Sequence, residues 1–311
     1  MHLAVYLPLL FPVPAALSAG PLARRLEPRL ATWLLTAAAL VLAVSSTAVL
    51  GLLALAGLVR IPLVATLKGY SPDVIARQDP AVWPAALAGG VLLALAVLAA
   101  ARRAARRAGA LWSAALEAAC LPGPDLAVIT DDPGADAYTV PGLPGRIVVS
   151  HGMLDALGPA GRDILLAHEG AHLNHHHHAF VSLVQLAAAA NPLLRPLAVA
   201  VAYTVERWAD EHAARHTGDR RAVAETVARA AVAAKRSRGP RAIPAAALGI
   251  LGRRRTAPGI VPRRVAALLA PPPQSPPLLL AAAAALLAAT GLCALEAAHD
   301  LHRFLELAHT R

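Results

Sequence analysis

Charged residues along this 311-residue chain gather in clusters separated by long apolar stretches. Residues 31–59 (ATWLLTAAALVLAVSSTAVLGLLALAGLV) and 81–101 (AVWPAALAGGVLLALAVLAAA) carry no charge at all. A helix of about 18 or more apolar residues crosses about 30 Å of hydrocarbon, so each stretch predicts a transmembrane span. Residues 278–298 stay uncharged up to Glu296 and follow a stiff PPPQSPP spacer at 271–277, which predicts another. Residues 3–19 are of minimal length and contain Pro8, Pro12 and Pro14. Because no Lys or Arg precedes this segment and the prolines interrupt it, a retained span is favoured over a cleaved signal peptide.

The arginines orient these spans. Arg24, Arg25 and Arg29, then Arg102, Arg103, Arg106 and Arg107, then Arg253 to Arg255 with Arg263 and Arg264, mark cytoplasmic ends. The 60–80 loop, where Arg60, Lys68 and Arg77 are offset by Asp73 and Asp79, is left outside. The expected organisation is three transmembrane helices within 1–101 (about 3–19, 31–59 and 81–101), a cytoplasmic domain at 102–270, a Pro-rich linker at 271–277, a fourth span at 278–298 and a short external tail at 299–311. The amino terminus lies outside a bacterial cell membrane.

Within the insert the periodicity changes. Residues 109–120 predict a helix, and 125–150 read as short strands separated by Pro-Gly turns, with AYTV and RIVVS forming a hairpin. From 151 the pattern is helical: MLDAL, GRDILLAHEGAHL, two short apolar helices, VERWADEHAARH and a polar helix at about 219–237. The segment 236–277 is a linker with one amphipathic patch, RRVAALLA. Residues 179–205 are apolar enough to resemble a further span, but Asn191-Pro192, Arg195 and Pro196 divide them into two pieces too short to cross. A helical hairpin, buried or dipping into the membrane surface, is expected there.

Composition supports a membrane protein: 57% hydrophobic and 15% charged residues with a mean hydropathy of +0.54 exclude an ordinary soluble globule. The net charge of +10, from 29 Lys+Arg against 19 Asp+Glu, would suit nucleic acid if it formed a face on a soluble domain. It clusters instead at the ends of apolar stretches, so the expected partner is lipid and direct nucleic-acid binding is not expected. Cys120 and Cys293 give neither a disulfide framework nor a thiolate metal site.

The chemistry concentrates in AHEGAH. His168 and His172 are four residues apart with Glu169 between them, so on a helix both imidazoles project from one face at a separation suited to a single Zn2+. Glu169 lies about 100° round the helix from His168, near enough to act on a metal-bound water without ligating. A catalytic zinc needs a third protein ligand and an open position. Glu206 is the candidate third ligand, and Asp210, one turn on, is placed to accept the second ring N–H of a liganding histidine. The bland alternative makes Glu206, Arg207, Asp210 and Glu211 a solvated helix face. The run His175 to His178 reads as exposed histidines beside a basic helix end, a second metal site or entry path being the lesser reading. Tyr203, His212 and His216 are candidate oxyanion stabilisers, and none is singled out.

These residues resemble a gluzincin zinc metallopeptidase. The Glu206/Asp210 pattern, the preceding Asn191-Pro192 and DAYTVPGLPGRIVVSHGML resemble the BlaR/MecR antirepressor-type membrane peptidases, and more distantly the HtpX/Ste24-type ones. The resemblance implies a mainly α, polytopic membrane protein with four transmembrane helices and a cytoplasmic α+β zincin-like metallopeptidase domain between the third and fourth. It implies one Zn2+ on His168, His172 and Glu206, with Glu169 as the catalytic base. It further implies a signal-responsive protease that cleaves itself, triggers inactivation of a BlaI/MecI-type transcriptional repressor, or both. An HtpX-like quality-control protease and a non-catalytic zinc-binding membrane transducer are the alternatives. The hairpin before the metal helix is expected to offer a strand edge to an extended substrate.

Overall fold

The computed structural model describes residues 7–58, 82–123, 125–142, 145–237 and 259–272, with scattered positions between 277 and 299. The expected outside loop at 60–80, most of the fourth expected span at 278–298 and the tail beyond His299 lie outside the described residues.

Two described helices are long and apolar enough to cross a membrane. The helix α3, Pro28–Leu58, covers residues 31–58 of the expected 31–59 span, and α4, Val82–Cys120, covers residues 82–101 of the expected 81–101 span. They run against each other at small residues. A Cβ placed on Gly57 would lie 2.6 Å from the Ala86 Cβ, and one on Gly89 would lie 2.8 Å from the Leu53 Cβ, so both contacts need glycine. The first expected span is different. Residues 7–25 form a short helix α1, Leu7–Leu10, and a second helix α2, Pro12–Arg25, with Phe11 between. Pro12 and Pro14 lack the N–H groups that would knit them together, and neither helix has the length to cross.

The expected break between the 81–101 span and a separate helix at 109–120 is absent: α4 runs through both for 39 residues. The Ala/Arg-rich join holds no Pro and only Gly109, so its helix propensity is high. The expected domain boundary at 101 thus falls inside a helix. The arginines here do more than mark a membrane side, since Arg103 hydrogen-bonds Gln185 and Arg107 Nε donates to Ser182 Oγ at 2.6 Å.

Beyond α4 lie three strands, β1 (Ala127–Thr130), β2 (Ala137–Val140) and β3 (Arg146–Ser150), ordered β1-β3-β2. The expected hairpin forms: β2 and β3 are antiparallel, with Tyr138 opposite Val148, while β1 pairs β3 in parallel. The central strand is therefore β3, so the open edge next to the hairpin belongs to β2. Ser150 ends β3 and caps the helix α5, His151–Asn174, its side chain accepting from the Met153 N–H. Gly158, with φ 68 and ψ −178, kinks α5 between its MLDAL and GRDILLAHEGAHL pieces.

The apolar 179–205 region folds as the expected hairpin. The helix α6, His177–Ala190, turns through a 3-10 segment, Pro192–Leu194, into α7, Arg195–Thr217. Asn191 shapes the turn: its side chain accepts from the Leu193 N–H and donates to Ser46 on α3 at 3.2 Å. The second apolar piece and VERWADEHAARH are one helix, because nothing between them breaks it. The hairpin buries Phe180, Val184, Val201 and Trp208 against Ala15, Ala19 and Ala23 of α2 and Leu35 and Leu42 of α3. The polar helix α8, Arg220–Arg236, begins at an Asp219 cap, and α9, Ile260–Leu269, packs on α7 and α8.

Candidate metal centre

The stripe of α5 that faces the core changes from apolar to ligating along its length. Gly161, Ile164 and Leu165 are buried, and one turn further the same face presents His168, Glu169 and His172, all essentially inaccessible. On α7 the hairpin brings Glu206 and Asp210 opposite them. His168, His172 and Glu206 place ligand atoms within 4.8 Å of one another, a group that can hold a metal ion. His168 Nε2 and His172 Nε2 are 3.3 Å apart, and each is 3.8 Å from a different Glu206 carboxylate oxygen.

The donor set fits zinc. Two nitrogens at about 2.05 Å from a tetrahedral zinc would themselves be separated by about 3.3 Å. Both outer ring nitrogens face other side chains, which leaves the Nε2 atoms turned inward: His168 Nδ1 lies 3.1 Å from Asp210 Oδ1, and His172 Nδ1 lies 2.9 Å from His177 Nδ1. Charge agrees as well. With both histidines neutral, as metal ligation requires, the buried carboxylates of Glu169, Glu206 and Asp210 face the buried guanidinium of Arg264, leaving two negative charges for a divalent cation to neutralise.

Burial dominates the titration of these groups, and partners decide its outcome. For His168, burial opposes protonation, but the facing carboxylates of Asp210 and Glu206 outweigh it and raise the pKa to about 9. For His172, burial and then the nearby His168 charge push the pKa well below the ordinary value. Asp210 is driven upward by burial, yet the Arg264 charge and hydrogen bond hold it well below the usual carboxylate range.

Three residues at the centre carry no sequence signal of their own. Thr139 on β2 donates to Glu169 Oε2 at 2.6 Å, tying the sheet to that carboxylate. Arg264 on α9 belongs to the arginine cluster expected to mark a cytoplasmic end, but it is buried and its guanidinium bridges Glu206 and Asp210. His177, expected from the His175 to His178 run to be exposed, is 0% exposed and backs His172. The reason is local. His176 adopts φ 50 and ψ 42, ending α5 and starting α6 so that the next side chain folds back under the metal helix. His176 itself is exposed, as expected.

The solvated-face alternative for α7 is overturned, since Glu206, Arg207 and Asp210 are 3%, 4% and 1% exposed. Only Glu211 of that set reaches the surface, paired with Arg220. His212 sits 3.4 Å from His175, whose ring stacks on Trp208, and the neighbouring charges of Arg29 and Arg215 oppose a second cation there. Tyr203 lies beside Arg207 and His216 is exposed.

Residues 101–188 match the model of peptidase family M48. The match spans the second half of α4, the sheet, α5 and most of α6, and so includes His168, Glu169 and His172. It supports a metallopeptidase of that family without singling out the BlaR/MecR type, and it ends before Glu206 and Asp210. No curated protein and no solved structure matches the chain.

Proposed function

We propose that this protein is a membrane-embedded zinc metalloendopeptidase that hydrolyses peptide bonds of a protein substrate. The observation that carries this reading is the convergence of His168, His172 and Glu206 within 4.8 Å, with Glu169 buried on the next position of the same helix. Zn2+ held by those three residues would polarise the scissile carbonyl and acidify an attacking water. Glu169 takes the proton from that water as the C–O bond forms, and returns it to the departing amine as the C–N bond breaks. Thr139 holds the Glu169 carboxylate toward β2, and Asp210 fixes the tautomer of His168. An extended substrate would pair with the open side of β2, next to Thr139.

The membrane assignment rests on α3 and α4, whose apolar lengths suit two crossings. The arginines that flank their apolar stretches, Arg24 to Arg29 and Arg102 to Arg107, favour a cytoplasmic side for the metal centre. The substrate is the chain itself, a repressor of the BlaI/MecI type, or both, as the BlaR/MecR resemblance implies.

The test uses the full chain in detergent with zinc and an unfolded protein substrate. Wild type is expected to hold one zinc and cleave; Glu169→Gln should keep the zinc and lose roughly 10²- to 10⁴-fold in rate; Glu206→Ala should lose the metal. Full zinc retention by Glu206→Ala, or undiminished cleavage by Glu169→Gln, overturns the assignment.

A further inference from the structure

The helix α9 contributes a group to the centre from far along the chain. Arg264 Nη1 lies 2.9 Å from Glu206 Oε2, Nη2 lies 2.7 Å from Asp210 Oδ1, and Nε donates to Asp210 Oδ2 at 2.8 Å. One guanidinium thus donates twice to the carboxylate beside His168 and forms an ion pair with the candidate third ligand. Glu206 and Asp210 are like charges one turn apart in a buried place, and a buried carboxylate deprived of its partner is strongly destabilised. Without Arg264 these side chains would turn away from the centre, which spoils them as a ligand and an acceptor.

A second arginine fastens the same helix. Arg220 donates through Nε to Leu268 O at 3.0 Å and through Nη2 to Ala267 O at 2.9 Å and Ala270 O at 3.2 Å, capping the carboxyl end of α9, while it also pairs with Glu211 of α7. Leu268 is buried in the same core as Leu157, Ile164 and Leu165 of the metal helix. α9 is therefore held to α7 at two points, one inside the centre and one outside it.

We infer that Arg264 is a positioning residue through which metal binding and the docking of α9 form one coupled equilibrium. The inference rests on the zinc reading of His168, His172 and Glu206. By reciprocity, loosening α9 weakens metal binding, and metal binding holds α9 down by the same free energy.

The experiment measures zinc affinity by chelator competition, the visible spectrum of the Co2+-loaded chain and hydrogen exchange of residues 260–269, all in the full detergent-solubilised protein. Arg264→Gln is expected to lose about 10- to 100-fold in zinc affinity and to alter the Co2+ spectrum. Arg264→Lys, which keeps the charge without the fork, should fall between it and wild type. Arg220→Ala touches no ligand, yet should speed exchange of 260–269 and weaken zinc binding in step. Zinc should slow that exchange in wild type and leave it unchanged in His168→Ala. If Arg264→Gln does not fold, Arg264→Lys and Arg220→Ala decide. Wild-type zinc affinity in the folded Arg264 variants, exchange of 260–269 that ignores zinc, or a wild type that binds no zinc overturns the inference. A chain that shows the coupling but cleaves nothing keeps the inference and loses the peptidase reading; one that cleaves through zinc with no coupling does the reverse.

Discussion

His176 and His177 are adjacent in the sequence and opposite in consequence. His176 sits in the left-handed region and faces solvent, whereas His177 is buried with its Nδ1 2.9 Å from that of His172. Two ring nitrogens at that distance share one proton, so His172 can present Nε2 to a metal only if its Nδ1–H donates to a neutral His177. Burial supplies that neutrality, driving the His177 pKa far below its ordinary value. His177→Ala is expected to lower zinc affinity about 10- to 100-fold, whereas His176→Ala should leave it unchanged; chelator competition measures both. Thr139→Val tests the other side of the centre. It keeps a β-branched side chain in β2 but removes the donor to Glu169 Oε2, so cleavage should fall about 10- to 100-fold with zinc content constant. His168, Glu169 and His172 were legible in the sequence because a helix converts a four-residue spacing directly into a shared face. Thr139, His177 and Arg264 were not, because a threonine in a strand, one histidine of four and one arginine of many acquire their roles only from what folds against them.

At the scale of elements, the helical hairpin is the feature on which the centre depends. A single crossing by residues 179–205 would separate Glu206 from His168, and the turn at Asn191-Pro192 prevents it. Asn191→Leu removes the cap on Leu193 N and the bond to Ser46, and should lower the thermal unfolding midpoint by the equivalent of about 1–2 kcal/mol without displacing zinc. The turn was readable because proline and asparagine act locally. Helix extents were harder. The joining of the 81–101 span to 109–120 in α4, and of the apolar and charged parts of 195–217 in α7, shows that a change from apolar to polar composition does not end a helix. A helix ends where hydrogen bonding or φ/ψ forbids continuation, as at Gly218, whose φ of 71 closes α7.

Across the whole molecule, buried arginines link parts that the sequence presents as separate. Arg207, next to Glu206, donates to Ala23 O at 2.7 Å and also faces the carbonyls of Arg24 and Leu26, fastening the α2–α3 turn to α7 as Arg264 fastens α9. Thr32 of α3 adds a hydrogen bond to Thr204 at 2.9 Å. Arg207→Met should cost roughly 1–3 kcal/mol in unfolding free energy by stranding these buried carbonyls, detected as a lower midpoint in detergent. The sequence by itself determined the two long apolar helices, the three short strands with their hairpin, and the two histidines and glutamate of the metal helix, because each of these follows from periodicity or spacing within one segment. The spacing also named Glu206 and Asp210 as partners of those histidines, but only the tertiary structure decided that β3 is central and that Arg264, His177 and Thr139 lie at the centre. Those facts depend on contacts between segments, the farthest joining Arg264 to Glu206, and the burial that gives a charged side chain its partner comes from the packing of other elements around it.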